Sequence, residues 1–328
     1  MKNTKPCPQI NPENKDIDNM PFAPPAVLSF CSNQVFRCAF YQAKANEWKP
    51  PTQDQIDNIE GIITAFHDNY VSGTKRSTGI LMDHCKALGL QCCRAKVDPN
   101  PDNPLGDSYI LIYTIKGKTD YNGPFLQLRE QNASNVVIVS PHDGTDNTSQ
   151  DTKISFKKSR AIAMVSNGHK KWSKEADFSK TRNNLGNYAL RKLAEYFHKL
   201  VILNIHGMIY TDFVLVRSRY LPLKDIFVKV FEENTGITRV QEFNAYYDID
   251  TIPTPYQLKT EIPIKVHLSQ AGLLGKIVRE IEKNAWAWPV QEQEVKQEIE
   301  VVDTTASVVS DVDPSDVVDT ECSCDDVN

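Results

Sequence analysis

Residues 136–146, VVIVSPHDGTD, and residues 200–208, LVILNIHGM, are two apolar runs that each end in a histidine. A short run of Val, Ile and Leu bounded by turn residues reads as a strand covered on both faces. His142 and His206 then emerge where those strands run out, the position at which open α/β sheets place their ligands. Between the two runs, residues 184–200, NLGNYALRKLAEYFHKL, carry apolar positions at helical spacing. That helix supplies the crossover a parallel pair of strands requires and brings the two histidines toward each other. Two matched histidines, each followed within two residues by glycine (Gly144 and Gly207), form a candidate metal site.

Working outward, residues 1–25 are polar and rich in proline, too poor in apolar surface to offset the entropy of ordering, and read as a flexible arm. Residues 27–40, with two short β-forming runs about Ser-Asn-Gln, read as a hairpin. A helix fits residues 52–67, because Thr52 can cap it, Gln55 completes a capping box, and Ile56, Ile59, Ile63 and Phe66 recur on one face. A second fits 77–88. Residues 98–106 read as a loop, 108–115 and 136–139 as strands, 213–217 and 262–268 as further strands, and 223–233 and 269–286 as helices. The order implies an α/β fold, a mostly parallel sheet with helices on both faces, in one domain over residues 26–290. Residues 291–328 show no apolar periodicity and read as a disordered acidic tail.

The formal net charge of −5 hides an asymmetry. Residues 291–328 hold twelve acids and one lysine, which leaves 36 basic against 30 acidic residues in 1–290. Lys170, Lys171, Lys174, Lys180 and Arg182 cluster near the proposed site, where they suit an anionic substrate or the chain's own tail, and the tail itself suits a basic partner. The eight cysteines follow no framework, and the start of the chain lacks the apolar core of a secretory signal. These features imply a cytoplasmic protein with free thiols, the adjacent Cys92 and Cys93 packing as small hydrophobes. No membrane span and no nucleic-acid-binding motif is expected. No phosphate loop, nucleophile-elbow serine or zinc-finger spacing is present either.

Catalytic zinc takes three protein ligands and keeps one position for water. His142 and His206 supply two, and Asp146 or Asp143, on the loop after the first strand, supplies the third; Asp146 stands four residues from His142 and can reach back across a turn. SPHDGTD and LNIHGM, with ADFSKTRNN (176–184) between them and IKVHLSQAGLL (264–274) after them, resemble the N-formylglutamate amidohydrolases of the zinc-carboxypeptidase-like fold. The resemblance covers about residues 108–284. It implies a zinc-dependent amide hydrolase acting on a small or peptide-like substrate that bears a carboxylate. In it Arg182 would clamp the carboxylate, with Arg160 or Arg217 as substitutes. The family's general-base glutamate has no counterpart in IKVHLSQ, where this chain has His267. Imidazole can act as a base, can close a metal's coordination sphere, or can stand by in a site that no longer turns over. Glu261, six residues earlier, is the nearest other carboxylate. Two alternatives follow: an inactive domain of the same fold that binds a ligand or protein, and a zinc N-acetylmuramoyl-alanine amidase.

Overall fold

The computed structural model describes residues 28–29, 49–97, 107–114, 124–142, 148–166, 183–210, 212–242, 252, 254–270, 272–285 and 288. The elements run α1 (Gln53–Ser72), α2 (Thr78–Ala87), β1 (Leu90–Val97), β2 (Asp107–Thr114), β3 (Phe125–Arg129), β4 (Ser134–Ser140), α3 (Ser149–Lys157) and β5 (Ala161–Ser166). They continue α4 (Leu185–Tyr196), β6 (Val201–Met208), β7 (Val214–Ser218), α5 (Leu221–Thr235), β8 (Val240–Glu242), β9 (Gln257–Pro263), α6 (Ile264–Ser269) and α7 (Leu273–Ala285). The nine strands form one sheet in the order β1-β2-β3-β5-β4-β6-β9-β7-β8. At its centre β5, β4, β6 and β9 are all parallel. Toward the first edge the pairings turn antiparallel, and on the other side β7 runs antiparallel to β9 and parallel to β8.

The sheet is covered on both faces, which is why its central strands read as unbroken apolar runs. Val136 and Ile138 of β4 and Leu203 and Ile205 of β6 join a first core with Phe156 of α3, Phe227 and Phe231 of α5, and Ile277 and Ile281 of α7. Val137 and Val139 of β4 and Ile202 of β6 join a second core with Ile59, Ile63 and Phe66 of α1, Leu81 of α2 and Leu190 and Leu193 of α4. This is the expected α/β architecture. β4 and β6 are neighbours, with Val136 opposite Val201 and Val139 opposite Asn204, so the two histidine-bearing strand ends lie side by side.

Local signals explain several elements. Thr52 caps α1, its hydroxyl accepting from the Gln55 amide while the Gln55 side chain accepts from the Thr52 amide, so two N–H groups that a helix start leaves open are satisfied. Gly73 ends α1 at a φ of 63°, a left-handed conformation that glycine adopts without a Cβ clash. Asn184 caps α4 by accepting from the Gly186 amide at 2.8 Å. Arg129, fully buried on β3, bridges to Asp107 at 2.8 Å and donates to the carbonyls of Phe156 and Ala161, tying the end of α3 to the sheet.

Three sequence expectations are corrected. Residues 262–268 are not a strand: β9 occupies 257–263, and α6 begins at Ile264, after Pro263. The last helix begins at Leu273 instead of residue 269. Cys93 is disulfide-bonded, while Cys85 and Cys92 are free thiols, so thiols are not free throughout. The expected hairpin at 27–40 lies almost wholly outside the described residues, as do the loop at 98–106, the arm at 1–25 and the tail at 291–328. Among the described residues no helix is long and apolar enough to cross a membrane.

Candidate functional site

The ends of β4 and β6 deliver two imidazoles to one point. His142 follows the last residue of β4 by two, His206 lies within β6, and both are buried. Their Nδ1 atoms stand 3.2 Å apart, with ring centroids at 4.9 Å and planes inclined by 64°. Two nitrogens that each bind one tetrahedral zinc at about 2.0–2.1 Å are about 3.3 Å apart, so this spacing fits a shared metal ion as well as it fits one ring donating to the other. Imidazole nitrogen is also a donor that zinc favours. The fit is partial: no group of three His, Cys, Asp or Glu side chains able to hold a metal occurs among the described residues. Asp143, Asp146 and Arg182 lie outside the described residues.

β9 adds a carboxylate beside the pair. His206 is the register partner of Glu261, and partners on adjacent strands present side chains to the same face, with strand axes about 5 Å apart. The alternation along β9 confirms the face: Leu258 and Ile262 enter the first core, so Gln257, Lys259 and Glu261 project to the other side of the sheet. Glu261 is half-buried there. One step down the strands, Asn204 of β6 is the partner of Lys259, and Lys259 is the partner of Arg217 of β7. This face therefore carries Asn204, His206, Lys259, Glu261 and Arg217 across β6, β9 and β7, with Leu215 of β7 opposite Glu261, whereas it is apolar across β4 and β5.

His267 is placed differently. It sits on α6, fully buried, with Nδ1 at 2.9 Å from Asp151 Oδ2 of α3 and Nε2 at 3.4 Å from the backbone oxygen of His206. Nδ1 faces a carboxylate, so it carries the hydrogen and donates. Asp151 is buried and also accepts from the Ser155 hydroxyl at 3.1 Å and from the Gly272 amide at 2.8 Å. Both nitrogens of His267 thus face oxygen acceptors, one of them the main chain of the strand that carries His206. Arg160 stands just before the first residue of β5, at the end of the parallel strands opposite to the histidines, and its Nε donates to Asn132 O at 2.6 Å. Arg217 lies on the same face of the sheet as Glu261.

Sequence reasoning placed His142 and His206 together and set Glu261 aside. The signal for Glu261 is the alternation in QLKTEI, where Leu258, Thr260 and Ile262 fall on one face and Gln257, Lys259 and Glu261 on the other.

No protein-family model matches the chain, and no curated protein matches it. Among solved structures it is similar to a metallo-carboxypeptidase from Burkholderia cenocepacia, with 9% identity, 66% of this chain and 70% of that chain covered, and a TM-score of 0.35. A bacteriophage poly-gamma-glutamate hydrolase shows 15% identity over 50% of this chain and 88% of that chain, with a TM-score of 0.36. A metallo-carboxypeptidase from Pseudomonas aeruginosa shows 9% identity over 64% of this chain and 68% of that chain, with a TM-score of 0.32.

Proposed function

We propose that the chain is a zinc-dependent amide hydrolase in which His142 and His206 hold the metal and Glu261 is the general base. The observation that carries this reading is the convergence of two buried imidazoles, 3.2 Å apart at the ends of adjacent parallel strands, with a carboxylate in register beside one of them. Asp146 is the proposed third ligand and Arg182 the proposed clamp for a substrate carboxylate. Zinc, when bound, polarises the scissile carbonyl and makes water acidic enough to attack near neutral pH.

The chain's own groups do the proton work. Glu261 takes the proton that the attacking water loses as its oxygen bonds to the carbonyl carbon, and then delivers it to the amide nitrogen as the C–N bond breaks. A carboxylate can serve here because it can both accept a proton and give it back. His267 is a poor candidate for that step, because Nδ1 donates to Asp151 and Nε2 faces the His206 carbonyl. Its proposed role is to hold α3, α6 and the backbone of β6 together.

The test combines metal content with turnover. The native chain should purify with one equivalent of zinc and release amine from N-acyl amino acids, and His206→Ala should lose both. Equal metal content in the native and variant proteins would refute the metal site. Metal without hydrolysis of any acyl amino acid or peptide would refute the enzyme.

A further inference from the structure

Two free thiols meet between α2 and the strand that follows it. Cys85 stands in the last turn of α2 and is 1% exposed; Cys92 lies on β1, half-buried, and packs against the same core as Cys85. The chain between them reverses within two residues. The Leu88 amide donates to the His84 carbonyl and the Gly89 amide to the Lys86 carbonyl, and Gly89 takes a φ of 65°, so β1 packs against the helix it follows. Side chains alternate along a strand, which sends Cys92 and Cys93 to opposite faces. Cys93 lies in the first core and is disulfide-bonded, whereas Cys92 turns toward Cys85. The two free thiols are hydrogen-bonded to each other. That bond, helped by burial, pushes the Cys85 thiol up; it draws Cys92 below the usual thiol range, against the effect of burial.

We propose that Cys85 and Cys92 form an oxidation site, a dithiol that a hydroperoxide converts into a disulfide clipping α2 to β1. Exposure divides the work between them. Cys92 is the reachable sulfur and the one more readily ionised, and the thiolate is the nucleophilic form. Its sulfur attacks the terminal oxygen of the peroxide: an S–O bond forms, the O–O bond breaks, and the departing oxygen takes up the proton that Cys92 released, leaving as water or an alcohol. Cys85, already in contact, then attacks the sulfenic sulfur. The S–S bond forms, the S–O bond breaks, and the hydroxide carries off the Cys85 proton as water. The two sulfurs together lose two electrons and the peroxide gains them. Two equivalents of an external thiol, themselves oxidised to a disulfide, restore both cysteines. Cys85 alone does not start the reaction, because it is shielded and held protonated. The clip closes the short loop through Leu88 and Gly89 and so restricts the unfolded chain. In the sheet β1 is separated from β4 by β2, β3 and β5, so the site stands apart from the hydrolase reading.

The test uses the full chain, purified without reductant, treated with a small excess of hydrogen peroxide, alkylated with N-ethylmaleimide in denaturant and cut with trypsin without reduction. Cleavage after Arg76, Lys86 and Arg94 puts Cys85 in peptide 77–86 and Cys92 in peptide 87–94. The expected result is that these two peptides appear joined and short of two hydrogens, whereas the untreated chain gives an alkylated thiol at each position. Cys92→Ser should abolish the link and leave Cys85 alkylated. In Cys85→Ser the oxidation should stop at the Cys92 sulfenic acid, which dimedone captures. If Cys85→Ser fails to fold, the apolar Cys85→Ala carries the same trapping experiment. Oxidation should raise the thermal midpoint of the native chain and of neither variant. A Cys85 that stays open to alkylation after peroxide treatment of the native chain would overturn the site. So would a link that survives Cys92→Ser, since Cys93 would then be the partner. An unchanged midpoint in fully linked protein would refute the clip.

Discussion

Glu261 of β9 lies directly opposite His206 of β6, in the same register step and on the same face of the sheet. A carboxylate held beside a proposed metal ligand by a parallel ladder is fixed by backbone hydrogen bonds, so its position does not depend on a loop closing. Glu261→Gln preserves shape and hydrogen bonding and removes the ability to accept a proton. Turnover of an acyl amino acid should fall on the order of 100-fold or more, with zinc content unchanged. A variant that keeps most of its rate would move the base elsewhere.

The two imidazoles predict a second outcome. A ligand that binds only the folded chain raises stability by mass action, by about 2.7 kcal/mol at a hundred times its dissociation constant. Adding zinc to chelator-treated native protein should raise the thermal midpoint, and His142→Ala or His206→Ala should abolish the increase. An increase of equal size in both variants would mean that zinc binds elsewhere.

How much of this was readable in the chain follows from what each strand carries. β4 and β6 were legible because a strand covered on both faces is an unbroken apolar run, and α1 because Thr52 and Gln55 state its start. β3, FLQLR, was not, since its buried Arg129 and Gln127 read as exposed until the fold supplies Asp107 and two carbonyls for the arginine. β9 was displaced toward residues 262–268 because IKVHL is rich in β-formers, whereas its true span is polar on the face that Glu261 shares with His206. That polarity is what hides the strand from a reading that looks for apolar runs. That His142 and His206 lie close together was legible from their position at strand ends; that Glu261 lies beside His206 was not, because the two are 55 residues apart in sequence and only the sheet order pairs them.

Glu282 of α7 gives a pH-dependent prediction. Burial raises its carboxyl above the usual glutamate range, opposed by hydrogen bonds from the Ser134 hydroxyl and the Arg160 amide. An acid whose folded-state value exceeds its unfolded value favours the fold below the unfolded value, and that favour is lost as pH rises through the raised one. The stability difference between the native chain and Glu282→Gln should therefore shift toward the variant between mildly acidic and neutral pH. Urea midpoints for both proteins across that interval would show it, and parallel curves would contradict it.

His267 and Asp151 test whether the helix pair behind the strands is structural. The two side chains meet at 2.9 Å with almost no exposure, and Asp151 keeps two further donors, Ser155 and Gly272. Deleting one member of a buried pair leaves the other without its partner and typically costs about 3–5 kcal/mol. His267→Ala should lie toward the lower end of that range, since the two remaining donors still serve Asp151, and Asp151→Ala should cost more because three donors lose their acceptor. Urea unfolding would rank them. The readout that separates a structural pair from a catalytic one is turnover measured on the fraction that remains folded. At temperatures well below the midpoint, His267→Ala should keep its zinc and retain a rate within about tenfold of the native chain, because neither ring nitrogen faces the substrate side of β6. A loss on the order of 100-fold or more in fully folded, zinc-replete protein would return the base to His267 and remove it from Glu261.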